Sequence, residues 1–336
     1  MGPKFFSRRV APLVLAATFG VTVSAWVQPS AQGTLLVLLR DSSQLAIVDP
    51  TTGETLAKVP TGRDPHEVTA SDDGRLAFVA SMVDGISVID LETREEVRRV
   101  DPGPGSETHD LLYLDGKVYF TIEGYKSIGR YDPTEDTIDW TIGIGEEGVH
   151  MLVHDPRTGN LFTPNTGSNT VTMIENATSG PAEARTIHID IPGETPEALD
   201  LSPDGSELWT ATRADGGVSV IDVARREVVA DMDLGMIDAN RLRFTPDGRV
   251  LIIDGEAAQL LVMDSRSREV VERVSLGEVD TGDGALLVGP DGRYAYVGLR
   301  AIDMVAIVNL ETLEVTMELS FSAGDGPGCM YWVRPS

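Results

Sequence analysis

The sequence predicts an all-β fold, a seven-bladed β-propeller, from three observations. A short apolar strand that ends in an acidic residue or Asn recurs seven times in the 336 residues, at intervals of 41, 42, 43, 47, 42 and 45 residues. A tight-turn pair of the Asp-Gly type separates two β-rich runs upstream of six of these strands, and such pairs are a strong hairpin signal. Runs with the apolar spacing of a helix are absent from the sequence after residue 31. Four antiparallel strands in a unit of roughly 40 residues are typical of one propeller blade.

The count of turns and strands predicts how the ring closes. The acid-ended strands finish at Asp49, Asp90, Asp132, Glu175, Asp222, Asp264 and Asn309. The six tight turns are Asp73-Gly74, Asp115-Gly116, Thr158-Gly159, Asp204-Gly205, Asp247-Gly248 and Asp291-Gly292. The chain therefore starts with three strands that lack an inner partner and ends with one leftover strand, CMYWVR. Pairing these four strands completes the last blade and removes the exposed sheet edges of an open ring.

The N-terminal segment has the features of a secretory signal. Lys4, Arg8 and Arg9 precede an apolar run at residues 10–26, and small residues follow it. We therefore predict a signal peptide at 1–31 and a single propeller domain at 32–336, located in the periplasm or outside the cell. The run is short for a membrane span, so we expect no stable span after cleavage, with a retained anchor as the alternative.

Composition narrows the choice of partners. The formal net charge is −26, which argues against nucleic acid because phosphate binding requires Lys and Arg. The same charge would attract a basic protein partner such as a cytochrome c. Cys329 is the single cysteine, so the chain has neither an internal disulfide nor a Cys-based zinc module.

Several segments resemble the YVTN-repeat β-propellers. Residues 162–175 read FTPNTGSNTVTMIE, which is similar to the YVTN-x-GSNTVSVID signature. Residues 202–205 (SPDG) and 65–68 (PHEV) resemble two further elements of that repeat. The resemblance covers residues 34–334 and implies a propeller of the lactonase-like or surface-layer type. It does not imply one activity, because such propellers include lactonase-like proteins, subunits of periplasmic amine dehydrogenases and binding proteins.

One repeat position is rich in groups that bind ligands. Counting back from each hairpin turn aligns the starts of the innermost strands, which line the central channel. The aligned residues are His66, His109, His150, Glu197, Asn240, Asp283 (or Gly284) and Gly328. The three histidines and Glu197 are the candidate catalytic and metal-ligating residues, because three imidazoles and a carboxylate are suited to a divalent metal. The alternatives are a polar ligand site without metal and a structural ring in which histidine only bonds neighbouring backbone.

A second set of candidate ligand-binding residues lies beside the first. Its members are Glu67, Asp110, Asn240, Arg241 and Asp283. Glu67 and Asp110 would act as acid and base if their environments separate their pKa values. Alternation along a strand instead turns them away from the axis, which favours salt bridges between blades. Arg241 would hold a carboxylate or lactone oxygen, or would pair with Asp238.

These patterns lead to one expected function and two alternatives. We expect a secreted propeller that binds a small polar molecule at its axis. Lactonase-like hydrolysis would use the three histidines to position water or a metal and Glu197 as base; the cofactor is undetermined, and a divalent metal is the candidate. The alternatives are a non-catalytic scaffold and an accessory subunit of a periplasmic electron-transfer dehydrogenase. Charged residues in the loops at the channel mouth, among them Glu123, Arg213 and Arg300, would contact ligand or solvent.

Overall fold

The computed structural model describes residue 2 and residues 33–278, 281–282 and 284–334. Within these ranges the chain forms 28 β-strands, three short 3-10 segments and no α-helix. No helix among the described residues is long and apolar enough to span a membrane. The predicted signal peptide, apart from residue 2, and Asp283 lie outside the described residues.

The strands form seven four-stranded sheets, which we number as blades 1–7. Blade 1 contains β1 (Thr34–Leu39), β2 (Gln44–Val48) and β3 (Thr55–Pro60). Blade 2 contains β4 (Pro65–Ala70), β5 (Leu76–Ser81), β6 (Gly85–Asp90) and β7 (Glu95–Val100). Blade 3 contains β8 (Thr108–Leu114), β9 (Lys117–Ile122), β10 (Ser127–Asp132) and β11 (Thr137–Gly143). Blade 4 contains β12 (Val153–Asp155), β13 (Asn160–Asn165), β14 (Thr170–Glu175) and β15 (Arg185–Asp190).

The remaining blades repeat this order. Blade 5 contains β16 (Pro196–Leu201), β17 (Glu207–Thr212), β18 (Gly217–Asp222) and β19 (Glu227–Asp233). Blade 6 contains β20 (Ala239–Phe244), β21 (Arg249–Asp254), β22 (Gln259–Asp264) and β23 (Glu269–Ser275). Blade 7 contains β24 (Ala285–Val288), β25 (Tyr294–Leu299), β26 (Met304–Asn309) and β27 (Glu314–Ser320). The last strand, β28 (Pro327–Val333), belongs to blade 1.

The two ends of the described chain close the ring. Strand β28 pairs antiparallel with β1, with Thr34 opposite Val333 and Leu36 opposite Tyr331. The order in this sheet is β28-β1-β2-β3. The prediction of a seven-bladed propeller is therefore confirmed, and so is the closure of its last blade by three N-terminal strands and one C-terminal strand. Both faces of each sheet carry buried apolar residues, and the core lies between neighbouring blades. Phe78 of blade 2, for example, belongs to one buried cluster with Phe120 and Tyr131 of blade 3.

The backbone at the start of the innermost strands is irregular. The pairing of β4, β8, β16 and β20 with their neighbours shifts register within the first three or four residues. The residues inside these shifts are His66, the pair His109 and Asp110, Glu197 and Asn240. A bulge re-aims side chains, so strict alternation does not hold at these positions.

A left-handed residue precedes six of the seven ring positions by two residues. Its φ lies between 49° and 70° at Asp64, Glu107, Gly148, Thr195, Gly282 and Gly326. Three of these residues are not glycine, and such conformations cost roughly 1–3 kcal/mol each and cluster at functional sites. The pattern also aligns Gly284 with the other ring positions.

Candidate functional site

The rings of three histidines from consecutive blades lie against one another, in tilted pairs, at the propeller axis. The ring centroids of His66 and His109 are 4.6 Å apart, and those of His109 and His150 are 3.8 Å apart. His109 is 4% exposed. The side chains of His66 and His150 are 14% and 13% exposed. The structure therefore brings the three predicted histidines together.

Both ring nitrogens of His66 have partners. Nη2 of Arg40 lies 2.6 Å from Nε2 of His66, and Nδ1 lies 3.1 Å from the backbone oxygen of Asp64. Because a guanidinium only donates, Nε2 accepts and Nδ1 carries the proton. Burial lowers the pKa of His66, and the charge of Arg40 lowers it further. His66 is therefore a neutral side chain of fixed orientation.

His150 lies between two carboxylates. Its Nδ1 is 2.8 Å from Oε1 of Glu123, and its Nε2 is 3.8 Å from Oε1 of Glu197. Burial alone would lower the pKa of His150, but the contacts with Glu123 and Glu197 outweigh it and raise this pKa to about 9. In the chain alone, His150 is an imidazolium at neutral pH.

His109 is neutral and incompletely paired. Burial lowers its pKa well below the ordinary value, and the neighbouring charge of His150 adds to this effect. Within the described part of the chain, Nδ1 of His109, Nε2 of His150 and Oδ1 of Asn240 are buried and lack a hydrogen-bond partner. A buried polar atom without a partner costs about 1–3 kcal/mol, so each of them needs an explanation.

Glu197 is held by two guanidinium groups. Nη1 of Arg213 lies 3.1 Å from its Oε2, and Nη1 of Arg241 lies 3.1 Å from its Oε1. Burial raises the pKa of Glu197, but His150, Arg241 and Arg213 together outweigh it and lower this pKa to about 2. Glu197 is therefore an ionised carboxylate with little tendency to accept a proton.

The second predicted set separates into an axial part and a structural part. Nη2 of Arg241 also lies 3.4 Å from Oε1 of Glu67 on blade 2, so both side chains reach the axial cluster. Alternation predicted that Glu67 turns away from the axis. Asp110 instead accepts the backbone N–H of Leu111 at 2.7 Å and of Leu152 on blade 4 at 2.5 Å. Burial, followed by the charge of Glu67, raises the pKa of Asp110.

Asn240 joins the cluster to the loops around it. Its Nδ2 donates to Oδ2 of Asp238 at 3.0 Å and to the backbone oxygen of Gly282 at 3.3 Å. Nε of Arg213 donates to Oδ1 of Asp238 at 2.6 Å. The structure therefore connects Asn240 to Arg213 through one carboxylate. Asp283 cannot be placed, because it lies outside the described residues.

A second set of equivalent positions consists of the residue that follows the second strand of each blade, counted outward from the axis. In blade 1 this strand is β1, because β28 is the innermost strand. Four charged residues occupy this position, namely Arg40, Glu123, Arg213 and Arg300. The sequence analysis placed three of them at the channel mouth but gave Arg40 no role. The signal was available, since Arg40 occupies the repeat position of Glu123 in the first blade.

A cavity of about 470 Å³ opens at this end of the propeller. Nη2 of Arg300 lies 2.6 Å from Oδ1 of Asp41 at its wall. Arg213 and Asp238 connect the cavity to the axial cluster. The lining consists of Asp41, Arg213, Asp238, Gly282, Arg300, Ala301, Asp303 and Gly324.

Arginine side chains bind two of the four residues that the sequence predicted as metal ligands. These two residues, His66 and Glu197, are engaged by the guanidinium groups of Arg40, Arg213 and Arg241. A cation next to a guanidinium is disfavoured by like-charge repulsion. His109 and His150 remain as the members of that set with a buried unpaired nitrogen.

The fold and the axial cluster define a seven-bladed propeller with a polar, buried hub, and comparisons with known proteins agree with this fold. Residues 31–133 match the model of the Cytochrome D1 heme domain family. No curated protein sequence matches the chain.

Similar solved structures share the fold at low sequence identity. A functionally unknown protein from Desulfotomaculum acetoxidans DSM 771 has a TM-score of 0.71 and 13% identity, covering 91% of this chain and 100% of that one. The dihydro-heme d1 dehydrogenase NirN in complex with DHE has a TM-score of 0.64 and 18% identity, covering 89% and 67%. Virginiamycin B lyase from Staphylococcus aureus has a TM-score of 0.65 and 14% identity, covering 80% and 91%. At these identities the likeness concerns the fold alone.

Proposed function

We propose that this protein binds a small polar ligand at the propeller axis, in the periplasm or outside the cell. The observation that carries the proposal is the pair of buried, unpartnered nitrogens, Nδ1 of His109 and Nε2 of His150. Buried polar atoms in a folded protein are normally paired, so atoms left unpaired in a charged cluster are suited to receive a ligand. Left-handed residues such as Glu107, two positions before His109, support the same interpretation.

The charges around the cavity indicate the chemistry of the ligand. Its volume of about 470 Å³ lies in the range of small-molecule sites, roughly 300–1,000 Å³. Arg213 and Arg300 line it, each paired with an aspartate of the wall (Asp238 and Asp41), and guanidinium groups are suited to carboxylate oxygens as further partners. The proposed ligand therefore carries an acidic or ester oxygen toward the arginines and a polar group toward the histidines.

A thermal-shift screen with four probes tests the binding proposal. The probes are γ-butyrolactone, 4-hydroxybutyrate, succinate and glucose. Since a ligand that binds only the folded state raises the melting temperature, we expect an increase with one of the two carboxylates or the lactone, and none with glucose. The increase should be lost in His109→Gln and kept in His188→Asn, whose histidine lies on the outer strand β15. No shift with any probe, or an equal shift in His109→Gln, would contradict the proposal.

Lactone hydrolysis is the reaction that the cluster supports best. His109 is neutral and would accept a proton from the attacking water, and the charged His150 would stabilise the oxyanion that forms. The oxyanion would then collapse with cleavage of the ring C–O bond, and His109 would return the proton to the leaving alkoxide. We assign the base to His109 rather than to Glu197, whose pKa of about 2 makes it a weak acceptor. Release of acid from γ-butyrolactone at constant pH measures the reaction. His109→Gln should reduce it by about 100-fold, the scale of general-base catalysis. Absence of turnover would refute the proposal of hydrolysis but would not contradict the proposal of ligand binding.

Tetrapyrrole binding is a second candidate function. It is favoured by the match of residues 31–133 to a heme-domain family, because this segment carries His66 and His109. An unpaired histidine nitrogen would serve as an axial iron ligand, and arginines would pair with propionates. Titration with hemin, read from the Soret band, tests this. A Soret band that is the same with and without the protein, or the same for the native chain and for His109→Gln, would refute tetrapyrrole binding.

The acidic composition also supports an electrostatic partner role. The chain has a net charge of −26 and would therefore attract a basic protein, such as a cytochrome c, at low salt. Surface plasmon resonance with cytochrome c at about 20 and 200 mM salt measures this role, since screening shortens the range of the attraction. Affinity that is equal at both salt concentrations would contradict it.

A further inference from the structure

Three potential metal-ligand side chains lie close together at the axis, and they are not the four that the sequence predicted. His109, Glu123 and His150 each offer one nitrogen or oxygen atom, and these atoms lie within 4.8 Å of one another. Two ligands of one zinc ion, each about 2.1 Å from it, lie at most about 4 Å apart. Small side-chain movements would therefore bring all three atoms onto one ion.

The positions of the three residues suit a fixed coordination site. The ring centroids of His109 and His150 are 3.8 Å apart, and Oε1 of Glu123 already lies 2.8 Å from Nδ1 of His150. Glu123 begins the 3-10 segment Glu123–Tyr125 directly after β9, whereas His109 lies in the irregular start of β8. His150 lies in the connection that precedes β12, and its backbone N–H donates to the backbone oxygen of Pro164 on β13 at 3.1 Å. The two imidazoles are therefore held by backbone pairing on adjacent blades.

An independent observation points to a ligand at this place. Nδ1 of His109 is buried and has no hydrogen-bond partner in the described structure. His109 is 4% exposed, so its nitrogen is shielded from bulk solvent. A coordinated ion is one species that would remove such a deficiency.

We propose that His109, Glu123 and His150 bind one divalent transition-metal ion of the Zn²⁺ type, leaving at least one coordination position open. Two imidazoles and one carboxylate favour Zn²⁺, Fe²⁺ or Co²⁺ over Mg²⁺ and Ca²⁺, which prefer oxygen ligands. The inference deepens the proposed ligand binding and rests on it in one respect, because the open position is where the small ligand would coordinate. With a metal bound, His109 and His150 would be ligands, so the roles given to them in hydrolysis apply to the metal-free chain.

The neighbours of this trio act as supports rather than ligands. His66 uses both ring nitrogens for Arg40 and for the backbone oxygen of Asp64. Glu197 is engaged by Arg213 and Arg241, and its Oε1 lies 3.8 Å from Nε2 of His150. A carboxylate behind a metal-binding histidine commonly orients the ring. We therefore place His66 and Glu197 outside the coordination sphere.

Metal titration of the full chain without a histidine tag tests the site. The protein is treated with EDTA, dialysed and titrated with Zn²⁺ by isothermal calorimetry, then with Co²⁺ by visible absorption. We expect one Zn²⁺ per chain, a Co²⁺ spectrum of a site with nitrogen ligands, and no binding of Mg²⁺ at the same concentration. Failure of Zn²⁺ to bind at one per chain, or equal binding of Mg²⁺, would overturn the inference.

Four variants test the ligand set. We expect His109→Gln and Glu123→Gln each to weaken Zn²⁺ binding at least 10-fold, while His188→Asn changes it less than 3-fold. His66→Gln should cause a smaller loss than His109→Gln, and an equal loss would overturn the proposed set. Circular dichroism identifies a variant that fails to fold; Glu123→Gln, at the edge of the cluster, then provides the decisive measurement.

The metal-site proposal and the small-ligand proposal can be refuted independently of each other. Zn²⁺ binding is measured with no organic molecule, and the four-probe screen is run on EDTA-treated and on Zn²⁺-loaded protein. Loss of Zn²⁺ binding with a positive screen refutes the metal site alone. Stoichiometric Zn²⁺ with a negative screen refutes the small-ligand function alone.

Discussion

Nη2 of Arg241 on blade 6 lies 3.4 Å from Oε1 of Glu67 on blade 2, although 174 residues separate them in the chain. Both side chains are buried, at 7% and 5% exposure. Blades 2 and 6 are not neighbours, so this ion pair crosses the central channel. With Glu197 as its second partner, Arg241 links three blades below the cavity.

Removal of Arg241 should destabilise the whole propeller. Arg241→Met leaves the buried carboxylates of Glu67 and Glu197 without this partner, and breaking a buried pair costs about 3–5 kcal/mol. Urea unfolding followed by circular dichroism measures the free energy of unfolding. Arg225→Met, an exposed arginine on the outer part of blade 5, should change it by less than about 0.5 kcal/mol. Equal stability of Arg241→Met and the native chain would show that this pair does not hold the blades.

Replacement of Arg213 should weaken ligand binding more than folding. Arg213 contacts both Glu197 in the cluster and Asp238 in the cavity wall, and its side chain is 35% exposed. We expect Arg213→Gln to reduce the affinity for whichever probe binds the native protein by at least 10-fold, measured by calorimetry. Arg63→Gln removes a charge from the same end of the propeller, outside the cavity lining, and is the matched control. An affinity loss of the same size in both variants would mean that Arg213 acts only through net charge.

Truncation of Trp332 should weaken ring closure. Trp332 lies on β28 opposite Leu35 of β1, is 8% exposed, and its ring centroid is 5.8 Å from that of Tyr296 on blade 7. Trp332→Ala removes a large buried side chain, which typically costs about 3–5 kcal/mol. Thermal melting compared with Val271→Ala, at an exposed position of β23, measures the effect. A Trp332→Ala protein that melts with the native chain would contradict the role of β28 as the closing strand.

The turn aspartates should make stability fall in acid. The backbone N–H of Ser206, followed by the hydroxyls of Ser206 and Ser202, lowers the pKa of Asp204 to about 2 from its ordinary value of 3.8. The folded state therefore favours the carboxylate. Its contribution is fully present above about pH 4 and is lost as the pH falls toward 2.

Asp204→Asn tests this pH dependence, because the variant removes the charge and keeps an acceptor oxygen. We expect it to be less stable than the native chain at pH 7 and about equally stable near pH 2, measured by urea unfolding at both values. A difference that stays constant between pH 7 and pH 2 would show that the charge of Asp204 does not contribute.

The blade count and the ring closure could be predicted because their signals are local. Apolar alternation and Asp-Gly turns act over a few residues, and they repeat seven and six times along the chain. The unpaired strands at the two ends of the repeat array predicted that they pair with each other, because this pairing removes exposed sheet edges. Strand β28 does pair with β1.

The alignment of repeats also predicted that three histidines meet, but not how they are paired. His66, His109 and His150 occupy one repeat position, yet their contacts differ. Arg40 contacts His66 and Glu123 contacts His150, whereas Nδ1 of His109 has no hydrogen-bond partner among the described residues. Alternation failed at the strand starts because register shifts re-aim side chains there. Such irregularities depend on contacts with the next blade.

The sequence by itself determined the all-β class, the seven blades and the position of the hub, since each repeat carries its own turns and strands. The tertiary structure alone decided which charges meet there. Arg241 reaches Glu67 only after the ring has closed, because a closed ring brings distant repeats to one axis, and Arg40 reaches His66 once blades 1 and 2 pack together. Burial at that axis then determines which imidazole is charged, a property that no local stretch of sequence encodes.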